Sequence, residues 1–130
     1  MRQSLTFRGE ASALADVRAR LREFLSAAGV GPSESGGIVL AIDEACTNII
    51  RHAHRGELRP VHLSMERRAD RVVFELCDNG TPCDASMIQG RSLGEVRPGG
   101  LGVHIIREVF DVVDYTPLET GTRLTLEKRI

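Results

Sequence analysis

The sequence has no long apolar run and no excess of charge of one sign. No stretch approaches the roughly 20 apolar residues that a membrane-spanning helix needs, and the polar opening MRQSLTFRGE lacks the apolar segment of a secretory signal. Seventeen basic residues are balanced by eighteen acidic ones, which gives a formal charge of −1. This balance disfavours electrostatic binding to nucleic acid or to a membrane surface, so we expect a cytoplasmic protein that contacts neither.

Cysteine and histidine are also scarce. Cys46, Cys77 and Cys83 are odd in number and lack CxxC spacing, which disfavours a disulfide framework or a structural zinc site. The HAH stretch at 52–54 and His62 are not joined by a second closely spaced pair of ligands, so they argue only weakly for a metal. We therefore expect free thiols that are buried or partly buried.

The apolar residues that are present predict one core. At 130 residues and 42% hydrophobic content, the chain suits a single domain over 1–130. Apolar positions at steps of three and four predict three helices, over about 11–28, over about 35–52 and from Leu101 onward. Glycine and proline interrupt the chain before the second helix, where Ser33 or Ser35 is expected as the N-cap.

Alternating apolar residues predict the strands. Leu5 and Phe7 indicate a short edge strand, VHLSMERRADRVVFEL (61–76) indicates a hairpin with one buried face, and two further strands flank 119–121. The stretch of about 81–98 has no sustained period and is predicted to be a long loop. Because parallel βαβ alternation is missing, we predict a two-layer α/β sandwich, a mixed and mostly antiparallel sheet covered on one face by helices.

The first candidate for chemistry is the second helix, which carries Glu44 and Asn48 one turn apart on the same side. A glutamate can accept a proton, and an asparagine oxygen can bind a hard cation such as magnesium. Surface glutamate and asparagine are common on amphipathic helices, so this pair alone does not define a site.

The second candidate is the LCDNG stretch, in which Asp78 and Gly80 directly follow an apolar strand. A carboxylate there can accept a hydrogen bond from an exocyclic amine such as that of adenine, and a neighbouring glycine lets a flat ring approach. The alternative is a plain turn, because Asn-Gly is also a strong turn signal.

Two glycine-containing stretches complete the set. Gly100 and Gly102 open the third helix, where free backbone N–H groups and the helix dipole suit a phosphate; a glycine hinge before a packed helix is the alternative. Neither GxGxxG nor GK[ST] is present. Gly121 and Thr122 precede the last strand, where the threonine hydroxyl can face a base or a water, although threonine is ordinary at a strand start.

In order and spacing, these four stretches resemble the nucleotide-binding boxes of the Bergerat-type ATP-binding fold, which gyrase, MutL and histidine kinases share. The resemblance runs from about Leu5 to Glu127. The N-terminal strand and helix, the EACTN stretch (44–48) and GGLGVHIIREVFDVVDY (99–115) most resemble the anti-sigma-factor serine kinases of the RsbW and SpoIIAB kind.

The resemblance implies a role for each matching residue. Glu44 would be the general base toward a partner's serine hydroxyl, and Asn48 would hold magnesium. Asp78 and Gly80 would receive adenine, Thr122 would lie near the base, and the loop of about 81–98 would be the lid over ATP. The remaining implied positions are Gly100, Leu101 and Gly102 at the phosphates and Arg18 at a partner interface.

The implied function is an ATP- and magnesium-dependent protein serine kinase. It would phosphorylate an anti-anti-sigma STAS partner, sequester a sigma factor and form a homodimer. Three alternatives remain open: a binding module that holds ATP or ADP without transferring phosphate, a detached histidine-kinase catalytic domain, and a structural domain without nucleotide.

Overall fold

The computed structural model describes residues 1–53, 58–80 and 100–130, with backbone only at 52, 53 and 100–103. The elements in chain order are β1 (Arg2–Arg8), α1 (Leu14–Ala27), α2 (Pro32–Asn48), β2 (Pro60–Arg67), β3 (Arg71–Asp78), α3 (Gly100–Val109), β4 (Val112–Pro117) and β5 (Thr122–Arg129). A 3₁₀ turn precedes α1, and a π-helical turn (Ile49–Ala53) continues α2. The predicted lid of about 81–98 lies outside the described residues.

The five strands form one sheet in the order β1-β2-β3-β5-β4, and each neighbouring pair is antiparallel. One face of the sheet is apolar because alternate residues of the central strands point to it. Fully buried on that face are Leu63, Met65, Phe74, Leu76 and Leu126. This α/β architecture confirms the predicted fold class, and β1 lies at the sheet edge as its short alternating pattern indicates.

Three phenylalanine rings join the helices to the sheet. Phe24 of α1 and Phe110, directly after α3, each meet Phe74 of β3 edge to face, with ring centroids 6.0 Å apart in both pairs. Such pairs add to the stabilisation from burial alone. In the described part of the chain, no helix combines the length and apolarity that a bilayer crossing requires.

The connection between α1 and α2 is fixed by backbone geometry. Gly29 has φ +81°, its N–H donates to Ser26 O (3.1 Å), and the Val30 N–H donates to Leu25 O (3.0 Å). These two bonds form a Schellman motif, which satisfies carbonyls at the helix end. Arg67 Nε of β2 donates to the Ala28 carbonyl at 3.1 Å and so ties this connection to the sheet.

The start of α2 differs from the prediction. Gly31 is the N-cap and Pro32 is the first helical residue, whereas no serine side chain caps the helix. Ser35 Oγ instead donates to the Val30 carbonyl at 3.4 Å. The expected serine cap is therefore wrong, because proline has no N–H to satisfy and a φ already suited to the first helical position.

The antiparallel register gives the sheet two ends. One end carries the strand termini Arg8, Pro60, Asp78 and Thr122, and we call it the Asp78 end. The other carries Arg67 and Glu127, and we call it the Glu127 end.

Both α2 and α3 point toward the Asp78 end. The bond from Arg67 to the end of α1 puts the beginning of α2 at the Glu127 end. α3 also ends at the Glu127 end, because the N–H of Asp111, two residues after the helix, donates to Glu127 O at 2.9 Å. Gly37 and Val109 face each other in the same region: an ideal Cβ on the glycine would lie 3.8 Å from Val109 Cγ2. The carboxyl end of α2 and the amino end of α3 therefore lie toward the Asp78 end.

Candidate functional site

Asp78 is the last residue of β3, and its side chain is held in place by the turn that follows. It is 7% exposed, on the apolar side of the sheet, and its Oδ1 accepts a hydrogen bond from the Gly80 N–H at 2.9 Å. Buried carboxylates are rare in proteins unless they are paired or hydrogen-bonded. Asp78 and Gly80 are thus in direct contact, and their role toward adenine stays a prediction.

Gly121 and Thr122 lie beside this turn. The register of β3 and β5 pairs Cys77 with Arg123, so its next step sets Asp78 opposite Thr122, which is 7% exposed. Gly121 has φ +89°, and an ideal Cβ on it would lie only 1.8 Å from the Asp78 carbonyl oxygen. Two stretches separated by more than forty positions in the sequence are therefore in backbone contact.

Asn48 ends α2 as a buried amide. It is 5% exposed, and its Nδ2 has no hydrogen-bond partner among the described residues. An unpaired buried polar atom costs about 1–3 kcal/mol, which a ligand can recover. Rotating the amide by half a turn would present its oxygen in the same place, so the residue suits either a donor or a cation ligand. The chemistry of the buried amide therefore fits an oxygen ligand of a hard cation such as magnesium.

Glu44 lies one turn before Asn48, and its side chain is half-buried. Neither a hydrogen bond nor an ion pair joins its carboxylate to another described residue, in contrast to the adjacent Asp43. A carboxylate that is partly shielded from water and not committed to a neighbour is available to accept a proton.

The start of α3 supplies backbone N–H groups at the same end of the molecule. The helix begins at Gly100, so Leu101 and Gly102 are in its first turn, where N–H groups lack helical partners. A helix amino terminus attracts anions, which agrees with the expected position of the phosphates.

Arg18 forms an ion pair between α1 and α2. Its Nη1 contacts Asp43 Oδ1 at 2.7 Å, with 37% and 27% of the two side chains exposed. Thr47 Oγ1 donates to the Asp43 backbone carbonyl at 2.9 Å. The pair links the first helix to the residue next to Glu44, and the interface role of Arg18 stays a prediction.

The two described cysteines are buried or partly buried, as the sequence predicts. Cys46 and Cys77 are free thiols. Burial, reinforced by the nearby Asp43 charge, raises the pKa of Cys46 to about 12. His62 Nδ1 shares a 2.7 Å hydrogen bond with Thr6 Oγ1. Within 1–53, 58–80 and 100–130, no three His, Cys, Asp or Glu side chains form a metal-binding group. Cys83 falls outside the described residues.

Sequence reasoning did not identify Arg59, which lies just before β2. Its Nη1 donates to the Asn79 carbonyl at 2.9 Å, inside the turn that holds Asp78. No local pattern signals this contact, because a backbone carbonyl 20 positions away can belong to any residue type. The close packing of Gly121 was also missed, although an isolated glycine before a strand is the usual sign of such an approach.

Comparison with known proteins agrees with this arrangement. A sequence profile of the histidine kinase-like ATPase domain matches residues 7–128. The chain belongs to this family. The resemblance that the four sequence stretches suggested is thereby confirmed.

Individual relatives in the family are similar at modest identity. The serine/threonine-protein kinase BtrW of Bordetella bronchiseptica is 30% identical over 94 residues, which are 68% of this chain and 66% of BtrW. The serine-protein kinase RsbW of Bacillus cereus is 28% identical over 80 residues, or 55% of this chain and 50% of RsbW. The matches thus span between half and just under two thirds of these relatives.

A solved structure shows the same fold. The RsbU and RsbW domains of Rv1364c from Mycobacterium tuberculosis superpose with a TM-score of 0.71 at 20% identity, over 99% of this chain and 32% of that one. At this identity, the likeness supports the fold alone.

Proposed function

We propose that this domain is an ATP- and magnesium-dependent protein serine kinase of a partner-switching pathway. It phosphorylates a serine on an anti-anti-sigma partner with a STAS domain, and it sequesters a sigma factor. The proposal includes a single domain over 1–130, a homodimer and a cytoplasmic location. Two lines of support are membership of the histidine kinase-like ATPase family and the naming of relatives as serine kinases.

The proposal is supported by two stretches that meet at the Asp78 end of the sheet and by two helix ends that lie toward it. Asp78 and Thr122 are buried polar residues on neighbouring strand termini, and the unpaired Asn48 amide lies at the end of a helix that points toward them. A buried carboxylate at the end of a strand suits a hydrogen-bond donor such as the amine of adenine. Gly80 adds no side chain beside the Asp78 carboxylate, and Gly121 lets the Asp78 backbone approach closely.

Each candidate residue has a separate role in binding ATP and magnesium. A magnesium ion held by Asn48 would supply positive charge beside the phosphates of ATP, which is the source of the transferred phosphoryl group. Asp78 accepts a hydrogen bond from the base, Thr122 adds a hydroxyl beside it, and Asn48 binds the cation through its amide oxygen. The first-turn N–H groups of α3, from Gly100 to Gly102, hold phosphate oxygens.

Glu44 performs the proton transfer in this proposal. Its carboxylate accepts the proton from the partner's serine hydroxyl while that oxygen forms its bond to the γ-phosphorus of ATP. The bond from this phosphorus to the β,γ-bridging oxygen breaks, and ADP leaves. The helix fixes Glu44 one turn from Asn48, so base and cation ligand approach the reacting group from the same side. The part of α1 around the partly exposed Arg18 would receive the partner.

One experiment tests the function. The purified chain is mixed with magnesium, γ-labelled ATP and a STAS protein encoded by a neighbouring gene, and the phosphorylated acceptor is analysed for acid-stable phosphoserine. Acid-stable label on the STAS protein is the expected result. Acid-labile label would indicate phosphohistidine chemistry, ATP binding without transfer would indicate a nucleotide-dependent binding module, and no ATP binding would leave only the structural alternative.

A further inference from the structure

The peptide group between Asn79 and Gly80 is held from both sides. Its carbonyl oxygen accepts a hydrogen bond from Arg59 Nη1 at 2.9 Å, and its N–H donates to Asp78 Oδ1, also at 2.9 Å. Because a peptide is planar, fixing the carbonyl fixes the direction of the N–H as well. The orientation of Arg59 is thereby transmitted to one oxygen of the Asp78 carboxylate.

The guanidinium also changes the strength of the second bond. A positive charge on the carbonyl withdraws electron density from the peptide, which makes its N–H a better donor to the carboxylate. The two bonds therefore reinforce each other, and their combined effect is to limit rotation of the Asp78 side chain.

Arg59 is itself anchored by the sheet. Its backbone carbonyl accepts a hydrogen bond from the Gly9 N–H at 2.8 Å, directly after β1, and its side chain is half-buried. On the other side of the turn, the Gly121 backbone packs against the Asp78 carbonyl. The turn is thus restrained from the β1–β2 side by Arg59 and from the β5 side by Gly121.

We propose that Arg59 is a positioning residue for adenine recognition: through the Asn79–Gly80 peptide it holds the Asp78 carboxylate in the orientation that accepts the exocyclic amine. This inference rests on the proposed nucleotide site. Arg59 does not contact the nucleotide in this proposal. Its effect on nucleotide affinity must therefore depend on the amine that Asp78 receives.

The test uses two nucleotides that differ only at that amine. ATP and purine-riboside triphosphate, which lacks the 6-amino group, are titrated with magnesium into the wild type, Arg59→Met, Arg59→Lys and Arg68→Met. Arg68 is the matched control, because it is an exposed arginine at the opposite end of β2 whose only described side-chain partner is Glu66, at 3.4 Å. Thermal unfolding of each variant shows whether the fold is retained.

In Arg59→Met, ATP affinity is expected to fall about 5–10-fold, as for loss of one ordinary hydrogen bond, while affinity for the amine-free analogue falls less than about 2-fold. Arg59→Lys restores part of the preference for ATP, and Arg68→Met leaves both affinities unchanged. Equal losses for the two nucleotides, or no loss for either, would overturn the proposal.

A second measurement does not need the nucleotide. The Gly80 amide proton is followed by NMR in the free protein, where Arg59→Met should shift it upfield because its bond to Asp78 weakens, and Arg68→Met should not. If the Gly80 amide proton has the same chemical shift in Arg59→Met as in the wild type, the coupling of Arg59 to Asp78 is refuted. If that resonance moves but the wild type binds no ATP, the nucleotide site fails and the link from Arg59 to Asp78 stands alone.

Discussion

Gly121 lies so close to Asp78 that a methyl group on it would sit 1.8 Å from the Asp78 carbonyl oxygen. The substitution Gly121→Ala therefore imposes both a clash with backbone and a left-handed φ on a residue that has a side chain. We expect the free energy of unfolding to fall by about 2–5 kcal/mol and ATP affinity to fall at least about 10-fold, since Asp78 and Thr122 must move apart. Chemical denaturation and calorimetric titration measure the two effects.

Gly29 provides a control with the same backbone conformation and no obstruction. Its φ is +81°, yet a Cβ there would meet nothing within 4 Å. Gly29→Ala should therefore lower the free energy of unfolding by only about 1–2 kcal/mol, the conformational cost alone, and leave ATP affinity unaltered. Similar losses of ATP affinity in both variants would refute the specific role of the Gly121 contact.

The sequence predicts the local elements of the fold but not the contacts between distant segments, such as that of Gly121 with Asp78. Alternation around Phe74 and three- to four-residue spacing around Leu21 correctly predict strands and helices, because each pattern is a local property of its element. The start of α2 was misplaced because a proline at the first helical position competes with nearby serines as a start signal. Chain direction is not encoded locally: that α2 and α3 both point to Asp78 follows from contacts of Arg67 and Glu127 far along the chain.

A substitution at Asn48 should change ATP affinity without lowering the stability of the free protein. Since its buried Nδ2 lacks a described partner, Asn48→Leu replaces a poorly satisfied amide with an apolar group of similar size. We expect the free protein to be as stable as the wild type or up to about 1 kcal/mol more stable, while affinity for ATP with magnesium falls at least about 10-fold. Denaturation without ligand and titration with it give the two values.

Thr47→Val is the matched control for Asn48, because Thr47 is the adjacent residue and its hydroxyl donates to the Asp43 carbonyl in α2. Loss of that bond should lower the free energy of unfolding by about 0.5–1 kcal/mol without changing nucleotide affinity. This is the opposite of the result expected for Asn48→Leu. A strongly destabilised Asn48→Leu with normal ATP binding would contradict the assignment of Asn48 to the ligand.

Glu44→Gln removes the proposed base while keeping the shape of the side chain. The rate of serine phosphorylation should fall at least about 100-fold at saturating ATP, because proton transfer to a positioned carboxylate contributes at least that factor. ATP affinity should not change, since no role in binding is assigned to Glu44. Glu34→Gln, an exposed residue in the first turn of α2, serves as control. If Glu44→Gln phosphorylates the partner at the wild-type rate, Glu44 is not the base.

Arg18→Ala tests the partner surface. The ion pair with Asp43 is partly exposed, so its loss should lower stability by less than about 1 kcal/mol. If Arg18 contacts the STAS protein or the sigma factor, affinity for that partner falls at least about 10-fold, whereas ATP affinity is retained. Arg22→Ala, an exposed position on the same helix, should leave partner affinity intact. Equal partner binding by both variants would remove Arg18 from the interface.

Cys46 links burial to the pH dependence of stability. Burial, together with the Asp43 charge, raises the pKa of its thiol from 9.0 to about 12, so the folded protein keeps this proton under conditions in which the unfolded chain releases it. The stabilisation is complete below pH 9 and is lost as the pH rises toward 12, with a slope of up to about 1.4 kcal/mol per pH unit for one proton. Because tyrosine and lysine titrate in the same range, the informative quantity is the difference between the wild type and Cys46→Ala. Their denaturation curves from pH 8 to 10.5 should show a steeper decline for the wild type, and parallel declines would mean that Cys46 titrates normally in the folded protein.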